Sequence, residues 1–239
     1  MRYAVVIPAR YHSTRLMGKP LINFKGTPMI VRTYNQCIKA VNKKYVYVAT
    51  DDLRVKKVCE KNNIKVLMTS KKCLTGTDRV FETTKTLKAK TFINVQGDEP
   101  LFNPNDLIKL IKESKKYPNE VITGYCEIKD KKQFFDVNVP KVVVSKDSHI
   151  LYASRAPIPF NKKKSFVKAW RQVCAYAFPL KKLKTFYELK KKTPIEKIED
   201  LEYLRFLELG FKLKALKMSR NSIAVDTEAD VRLVNKRLK

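Results

Sequence analysis

Arg10, Arg15 and Lys19 fall within ten positions in "ARYHSTRLMGKPL", directly after the apolar run 4–7 and Pro8. Cations on a loop that leaves a buried strand can grip a polyphosphate. Arginine offers phosphate a planar fork of donors and lysine a compact point charge, and Ser13, Thr14 and backbone N–H groups, with Gly18 in the same loop, can complete the cradle. The bland alternative is a solvated cationic loop, but the ordered pattern A-R-x-x-S-T-R-x-x-G-K-P is hard to obtain by chance. Neither G-x-G-x-x-G nor G-x-x-x-x-G-K-[ST] occurs, so this is neither a dinucleotide fingerprint nor a Walker loop.

Carboxylates follow further on. In "NVQGDEP" (94–100) an apolar strand ends, Gly97 permits a tight turn, and Asp98 is set at the sheet edge. Facing a phosphate loop, Asp98 suits Mg²⁺, which is usually held by one or two carboxylates plus phosphate oxygens; it suits equally a polar turn. "AVDTEADV" (224–231) places Asp226 directly before an acidic helix start, either as a cap, with Thr227 the other candidate, or as a second metal ligand. In "TGTDR" (75–79), Thr75, Thr77 and Asp78 are ordinary helix caps, or the backbone at Gly76 and the Arg79 side chain read a base edge.

Alternating elements must position these groups. Short β-branched and aromatic runs at 3–8, 45–50, 65–68 and 91–95 predict strands, and helical spacing predicts helices over 28–41, 52–62, 77–88 and 104–116. That alternation argues for an α/β fold with a parallel sheet covered on both faces. Beyond about residue 120 the order loosens, with strands expected at 121–127, 141–145, 173–178 and 212–217 and helices near 180–190, 194–209 and 227–238. Ligands of such sheets gather at the strands' carboxyl ends, where Arg10 to Lys19, Asp51, Ser70 to Arg79 and Gln96 to Glu99 lie.

Composition excludes several classes of function. Five cysteines without a C-x-x-C and only two histidines argue against a disulfide framework, a zinc site or a serine-type triad. No apolar run reaches the roughly 18 residues of a membrane span, and Met1-Arg2-Tyr3 leads straight into a strand, so a soluble cytoplasmic protein without membrane insertion is expected. The net charge of +28 would suit a nucleic-acid binder. Its excess, however, is mostly lysine in short scattered runs such as 162–164 and 190–192, which reads as solvated faces, and no nucleic-acid partner is expected.

Segments 3–21, 47–51 ("YVATD"), 75–79, 94–100, 194–205 ("PIEKIEDLEYLR") and 225–227 ("VDT") together resemble the 3-deoxy-manno-octulosonate cytidylyltransferase (CMP-Kdo synthetase) family, in order over nearly the whole chain. The resemblance implies a mostly parallel mixed sheet of the nucleotide-diphospho-sugar transferase kind. It implies one domain over 1–239, nucleotide-binding to about 120, then sugar-binding and dimer-forming. It implies CTP and a 3-deoxy sugar acid as substrates, CMP-sugar and pyrophosphate as products, Mg²⁺ as cofactor, a homodimer, and a role in lipopolysaccharide or capsule synthesis. Carried over, Arg10, Arg15 and Lys19 bind triphosphate; Ser13, Gly18, Asp51, Ser70 and Thr75 to Arg79 (Thr75, Gly76, Thr77, Asp78, Arg79) complete the nucleotide site. Asp98 and Asp226 hold Mg²⁺, and with Lys19 and Arg10 carry catalysis. Gln96, Arg155, Gln172, Tyr176, Glu196, Glu199 and Tyr203 line the sugar pocket, the two glutamates being three apart and so on one helix face.

Departures from the family pattern cluster at the sugar. The usual H-x-G-x-Y reads Gln172-Val173-Cys174-Ala175-Tyr176, and L-E-Q-L-R reads Leu201-Glu202-Tyr203-Leu204-Arg205. The usual H-x-S-G-T and L-P-G-K-P read Cys73 to Thr77 and Leu16 to Pro20. The first two exchange hydrogen-bonding partners, through neutral drift or for a modified sugar acid, such as an 8-amino analogue of Kdo or a nonulosonic acid. A CMP-sialic acid or other CMP-nonulosonate synthetase is the neighbouring alternative, and a basic nucleic-acid-binding protein the one from another class.

Overall fold

A computed structural model describes residues 1–13 and 16–238; of the residues expected at the site, Thr14 and Arg15 lie outside them. In chain order the elements begin with β1 (Tyr3–Ala9), β2 (Asn23–Phe24), β3 (Thr27–Pro28), α1 (Met29–Ala40), β4 (Val46–Thr50), α2 (Leu53–Lys61), β5 (Val66–Met68), α3 (Gly76–Glu82), β6 (Thr91–Val95) and α4 (Pro104–Lys116). They continue with β7 (Val121–Glu127), α5 (Lys131–Phe135), β8 (Lys141–Val144), β9 (Ile150–Ser154), β10 (Trp170–Pro179), α6 (Leu180–Glu188), α7 (Pro194–Glu199), α8 (Leu204–Glu208), β11 (Leu213–Lys217) and α9 (Glu228–Arg237).

The main sheet runs β11-β7-β10-β6-β1-β4-β5, with β8 and β9 branching from β10. β1 pairs in parallel with β4 and β6, β4 with β5 and β11 with β7, whereas β10 runs antiparallel to both β6 and β7. The expected mostly parallel, mixed α/β sheet is therefore present. Alternate β1 side chains enter two cores: Val5, Ile7 and Ala9 pack with residues of α1, α2 and α4, and Ala4 and Val6 with residues of α3, α6 and α8. Burial on both faces explains why the strand reads as an unbroken apolar run.

Because β1, β4, β5 and β6 share one direction, their carboxyl ends open on one edge. Gly97, just past β6, is required by space: a Cβ there would sit 2.6 Å from the Pro8 carbonyl oxygen. That close approach brings the loop after β1 against the turn carrying Asp98.

The second half departs from expectation in four places. The helix expected over 194–209 is two, α7 and α8, because Asp200 takes a left-handed conformation with φ 49°. β9 and α5 were not expected, and β10 begins at Trp170 rather than 173. A register shift between Val173 and Tyr176 marks an irregularity in β10, and it falls where the chain meets the pocket.

Candidate active site

One large cleft lies across the carboxyl edge, lined among others by Arg10, Lys19, Gly76, Gln96, Asp98 and Asp226. Lys19 sits at its centre. The turn before it holds Gly18 at φ 68°, where a left-handed residue is needed, and the Gly18 N–H donates to Tyr11 O at 3.0 Å. Lys19 then starts a single 3-10 turn whose next residue is Pro20. Its Nζ donates to Asp98 Oδ2 at 2.7 Å and to Asp226 Oδ1 at 3.0 Å. Burial works against the ammonium's charge, but the two carboxylates outweigh it and hold the Lys19 pKa above its usual value. Residues 207 positions apart thus share one charge centre.

The segment bearing Asp226 is tied down on both sides. Val225 N–H donates to Asp98 O at 2.9 Å, Arg171 Nη2 donates to Ser222 O at 2.9 Å, and the Ser222 hydroxyl donates to Glu99. Burial, then the neighbouring Asp98 charge, push the Glu99 carboxyl up to about 7. Thr227 caps α9, with Asp230 completing a capping box. The capping alternative for Asp226 is thereby filled by its neighbour.

Around α3 the side chains are spent on structure. Thr75 is the N-cap, and Asp78 accepts from its N–H at 2.8 Å and its hydroxyl at 2.7 Å. Asp78 also accepts from Arg205 Nη1 at 3.2 Å. Arg79 pairs with Asp51 at 2.9 Å and donates to Thr69 Oγ1 at 2.5 Å, so part of the guanidinium's donor set is already taken. Thr77 N–H donates to Glu202 Oε2. Ser70 N–H donates to Glu82 and its hydroxyl accepts from Lys72 N–H, closing a turn. Asp51, Ser70 and Asp78 are absent from the cleft lining, whereas Thr75, Gly76 and Arg79 border it.

The sugar-side expectation needs correction at several residues. Glu196 is fully buried and both its oxygens accept from Arg205, Oε2 from Nε and Oε1 from Nη2, each at 2.6 Å. Glu199 accepts from Ser154 Oγ at 2.6 Å, Arg155 N at 2.8 Å and Tyr152 OH at 3.3 Å. Spacing three apart put both carboxylates on one helix face, but Glu196 is the third residue of α7 and turns back to its N-cap Thr193. Glu196 borders the cleft with its carboxylate already taken by Arg205, and Glu199 does not border it, so the two are not a pair facing a ligand. Tyr203 is 1% exposed, packs behind Tyr176 with ring centroids 6.3 Å apart and planes tilted by 42°, and its hydroxyl has no hydrogen-bond partner among the described residues. Arg155 borders the cleft, but its Nε, Nη1 and Nη2 donate to the carbonyls of Glu199, Val137 and Asp200 at 2.6, 3.0 and 3.2 Å. Gln96, Gln172 and Tyr176 do line the cleft, and Gln172 Nε2 donates to the Tyr176 hydroxyl.

Sequence reasoning passed over Glu202, whose Oε1 accepts from Gln96 Nε2 at 2.8 Å while Oε2 caps the α3 backbone. Burial raises its pKa. Glu202 was legible as the unchanged acid of "LEYLR", beside the departure that drew notice. Cys174 was passed over too; it lines the cleft, and burial followed by Glu99, Asp98, Asp226 and Glu202 pushes its thiol far up.

The mostly parallel mixed sheet with its cleft at the carboxyl edge is a nucleotide-diphospho-sugar transferase fold, and the chain belongs to the cytidylyltransferase family, whose model matches residues 4–225. It is a nucleotidyltransferase. Among curated relatives, an 8-amino-3,8-dideoxy-manno-octulosonate cytidylyltransferase of Shewanella pealeana is 38% identical, covering 100% of this chain and 99% of its own. A mitochondrial 3-deoxy-manno-octulosonate cytidylyltransferase of Arabidopsis thaliana is 36% identical over 96% of this chain and 81% of its own. A solved CMP:2-keto-3-deoxy-manno-octonic acid synthetase complexed with CTP superposes with a TM-score of 0.91 at 32% identity, covering 100% and 98% of the two chains.

Proposed function

We propose that this chain transfers the cytidylyl group of CTP to the anomeric hydroxyl of Kdo or its 8-amino analogue, releasing pyrophosphate, in supply of lipopolysaccharide or capsule assembly in the cytoplasm. The observation that carries this reading is Lys19 bridging Asp98 and Asp226 in a cleft that Arg10, Gln96 and Tyr176 also line. Arg10 and Lys19 would take the triphosphate, with the Gly76 backbone facing the base. Gln96, Gln172 and Tyr176 would offer donors and acceptors to sugar hydroxyls, and Glu202 orients Gln96. Holding both substrates in one cleft converts attack at phosphorus into a step of positioning and electrostatics.

Asp98 and Asp226 fit Mg²⁺ by their chemistry. They are hard oxygen donors from two elements, drawn together on one ammonium, with side chains 23% exposed. Among the described residues no three His, Cys, Asp or Glu could hold a metal by themselves, so substrate phosphates would complete the shell. When bound, Mg²⁺ would neutralise phosphate charge and acidify the attacking hydroxyl. Lys19, already between the two aspartates, would move its charge toward the leaving pyrophosphate.

No helix among the described residues is long and apolar enough to cross a membrane. A homodimer is proposed through β9 and α7, where Leu151, Tyr152 and Ile198 are 61, 37 and 82% exposed; sedimentation at micromolar concentration tests it. The function is tested by pyrophosphate release from CTP and Mg²⁺ with Kdo, 8-amino-Kdo and a nonulosonic acid. Turnover with either octulosonate is expected. Turnover of the nonulosonate alone would move the assignment to that synthetase class, and tight, salt-resistant nucleic-acid binding without any turnover would overturn it.

A further inference from the structure

Lys141 is fully buried at the start of β8, in register with Ser154 of β9 and Arg171 of β10. Its Nζ touches no carboxylate among the described residues. It donates to Asp136 O at 2.8 Å and to Arg155 O at 2.5 Å. Burial lowers its pKa to about 8, with Asp136 and Glu199 opposing that shift and Arg155 adding to it. A lysine buried without an ion-pair partner is costly, and a chain accepts such a departure chiefly where the group has work to do.

What it joins indicates that work. Asp136 and Arg155 belong to two segments that border the cleft, and Asn138, Val139 and Pro140 border it between them. The Arg155 guanidinium reaches back to Val137 O at 3.0 Å, and Pro140 O accepts from Gln172 N–H at 3.0 Å. Segment 136–140 is therefore fixed to β9 and β10 by three links, and among them the Lys141 ammonium spans two carbonyls from the interior. The Arg155 carbonyl needs a long side-chain donor because strand β9 has ended at Ser154 and no ladder partner meets it.

We propose that Lys141 is a positioning residue for the sugar-acid pocket: its ammonium clamps the carbonyls of Asp136 and Arg155 and so sets the wall opposite Gln96 and Tyr176. This rests on the proposed sugar-acid site and adds a residue that touches neither substrate. With Lys141→Met the wall loosens while Lys19, Asp98 and Asp226, on other elements, keep their geometry. Lys141→Gln keeps a shorter donor and serves where the Met variant fails to fold.

The test combines steady-state kinetics with amide hydrogen exchange of the ligand-free protein. The expected result is a rise of tenfold or more in the sugar-acid KM, a CTP KM within twofold of wild type, and faster exchange confined to 136–140 and 155–158. Lys141→Gln should fall between. Unchanged sugar KM with unchanged exchange would overturn the proposal. So would a fall in Tm with exchange faster throughout and both KM values moving together, since that marks a purely structural lysine. Exchange is read without substrate: a wild-type protein inactive on every sugar acid would fail the functional assignment while the wall assignment is still decided by exchange.

Discussion

Arg205 separates a structural reading of Glu196 from a sugar-binding one. Its guanidinium is fully buried, forks onto Glu196 through two 2.6 Å bonds, reaches Asp78 at 3.2 Å, and lies 3.8 Å from the centroid of the Phe186 ring. Arg205→Met keeps much of the apolar volume and strands two carboxylates, one fully buried and one 4% exposed. Breaking a buried pair in this way costs about 3–5 kcal/mol. For a chain of this length, at about 2–4 °C per kcal/mol, Tm should fall by roughly 6–20 °C. Urea unfolding by linear extrapolation measures the loss directly. Adding Glu196→Leu should recover at least about 2 kcal/mol, because an apolar pair removes the stranded charge. Glu196→Gln should likewise cost stability while leaving the sugar KM within a few-fold of wild type. An Arg205→Met loss below about 1 kcal/mol, with Glu196→Gln raising the sugar KM selectively, would refute the reasoning.

Three further outcomes follow from the same geometry. Asp98→Asn is nearly isosteric but a weak ligand for a hard cation, so turnover should drop at least about 100-fold in a folded protein; a near-normal rate would remove Asp98 from the metal site. Lys19→Met should lower kcat/KM by about tenfold to 150-fold, the worth of one charge-assisted contact of roughly 1.5–3 kcal/mol, and a lower Tm with unchanged kinetics would assign Lys19 to structure. With the Cys73 and Cys59 thiols both pushed up to about 12 by burial, the thiolate fraction of each at pH 8 is about 10⁻⁴ against about a quarter for a free thiol. Alkylation should therefore be roughly a thousandfold slow in native protein, rise with pH toward 12, and become fast on unfolding; a native thiol reacting at peptide rate at pH 8 would contradict the burial.

How far each element could be read from the chain followed from how local its cause is. β1, β4, β6 and α4 were legible because continuous apolar runs and an Asn-Pro start carry their own signal. β9 was not: Ile150 is buried, Leu151 and Tyr152 are exposed, and Ala153 and Ser154 are buried, so it lacks the period-two pattern, and "ILYAS" follows a polar turn without any boundary signal of its own. The split of α7 from α8 depends on Asp200 adopting a left-handed backbone, which asparagine and aspartate tolerate but do not announce.

The two sides of the cleft differ for the same reason. On the nucleotide side, parallel strands bring each loop to one edge by topology alone, so knowing where a strand ends nearly suffices to place Arg10 and Asp98. Asp226 needs one long-range contact more, which Lys19 supplies. On the sugar side, side chains compete for partners over long separations: both Glu196 oxygens go to Arg205, Arg155 to three carbonyls, Tyr203 behind Tyr176. A motif says which residue type stands at a position; whether its donors are free for a ligand depends on what the fold has already asked of them. Of the two departures in the sugar motifs, Gln172 lies in the cleft while Tyr203 does not line it. Selection among sugar acids is therefore expected to follow Gln172 directly, and Tyr203 only through the Tyr176 ring packed against it.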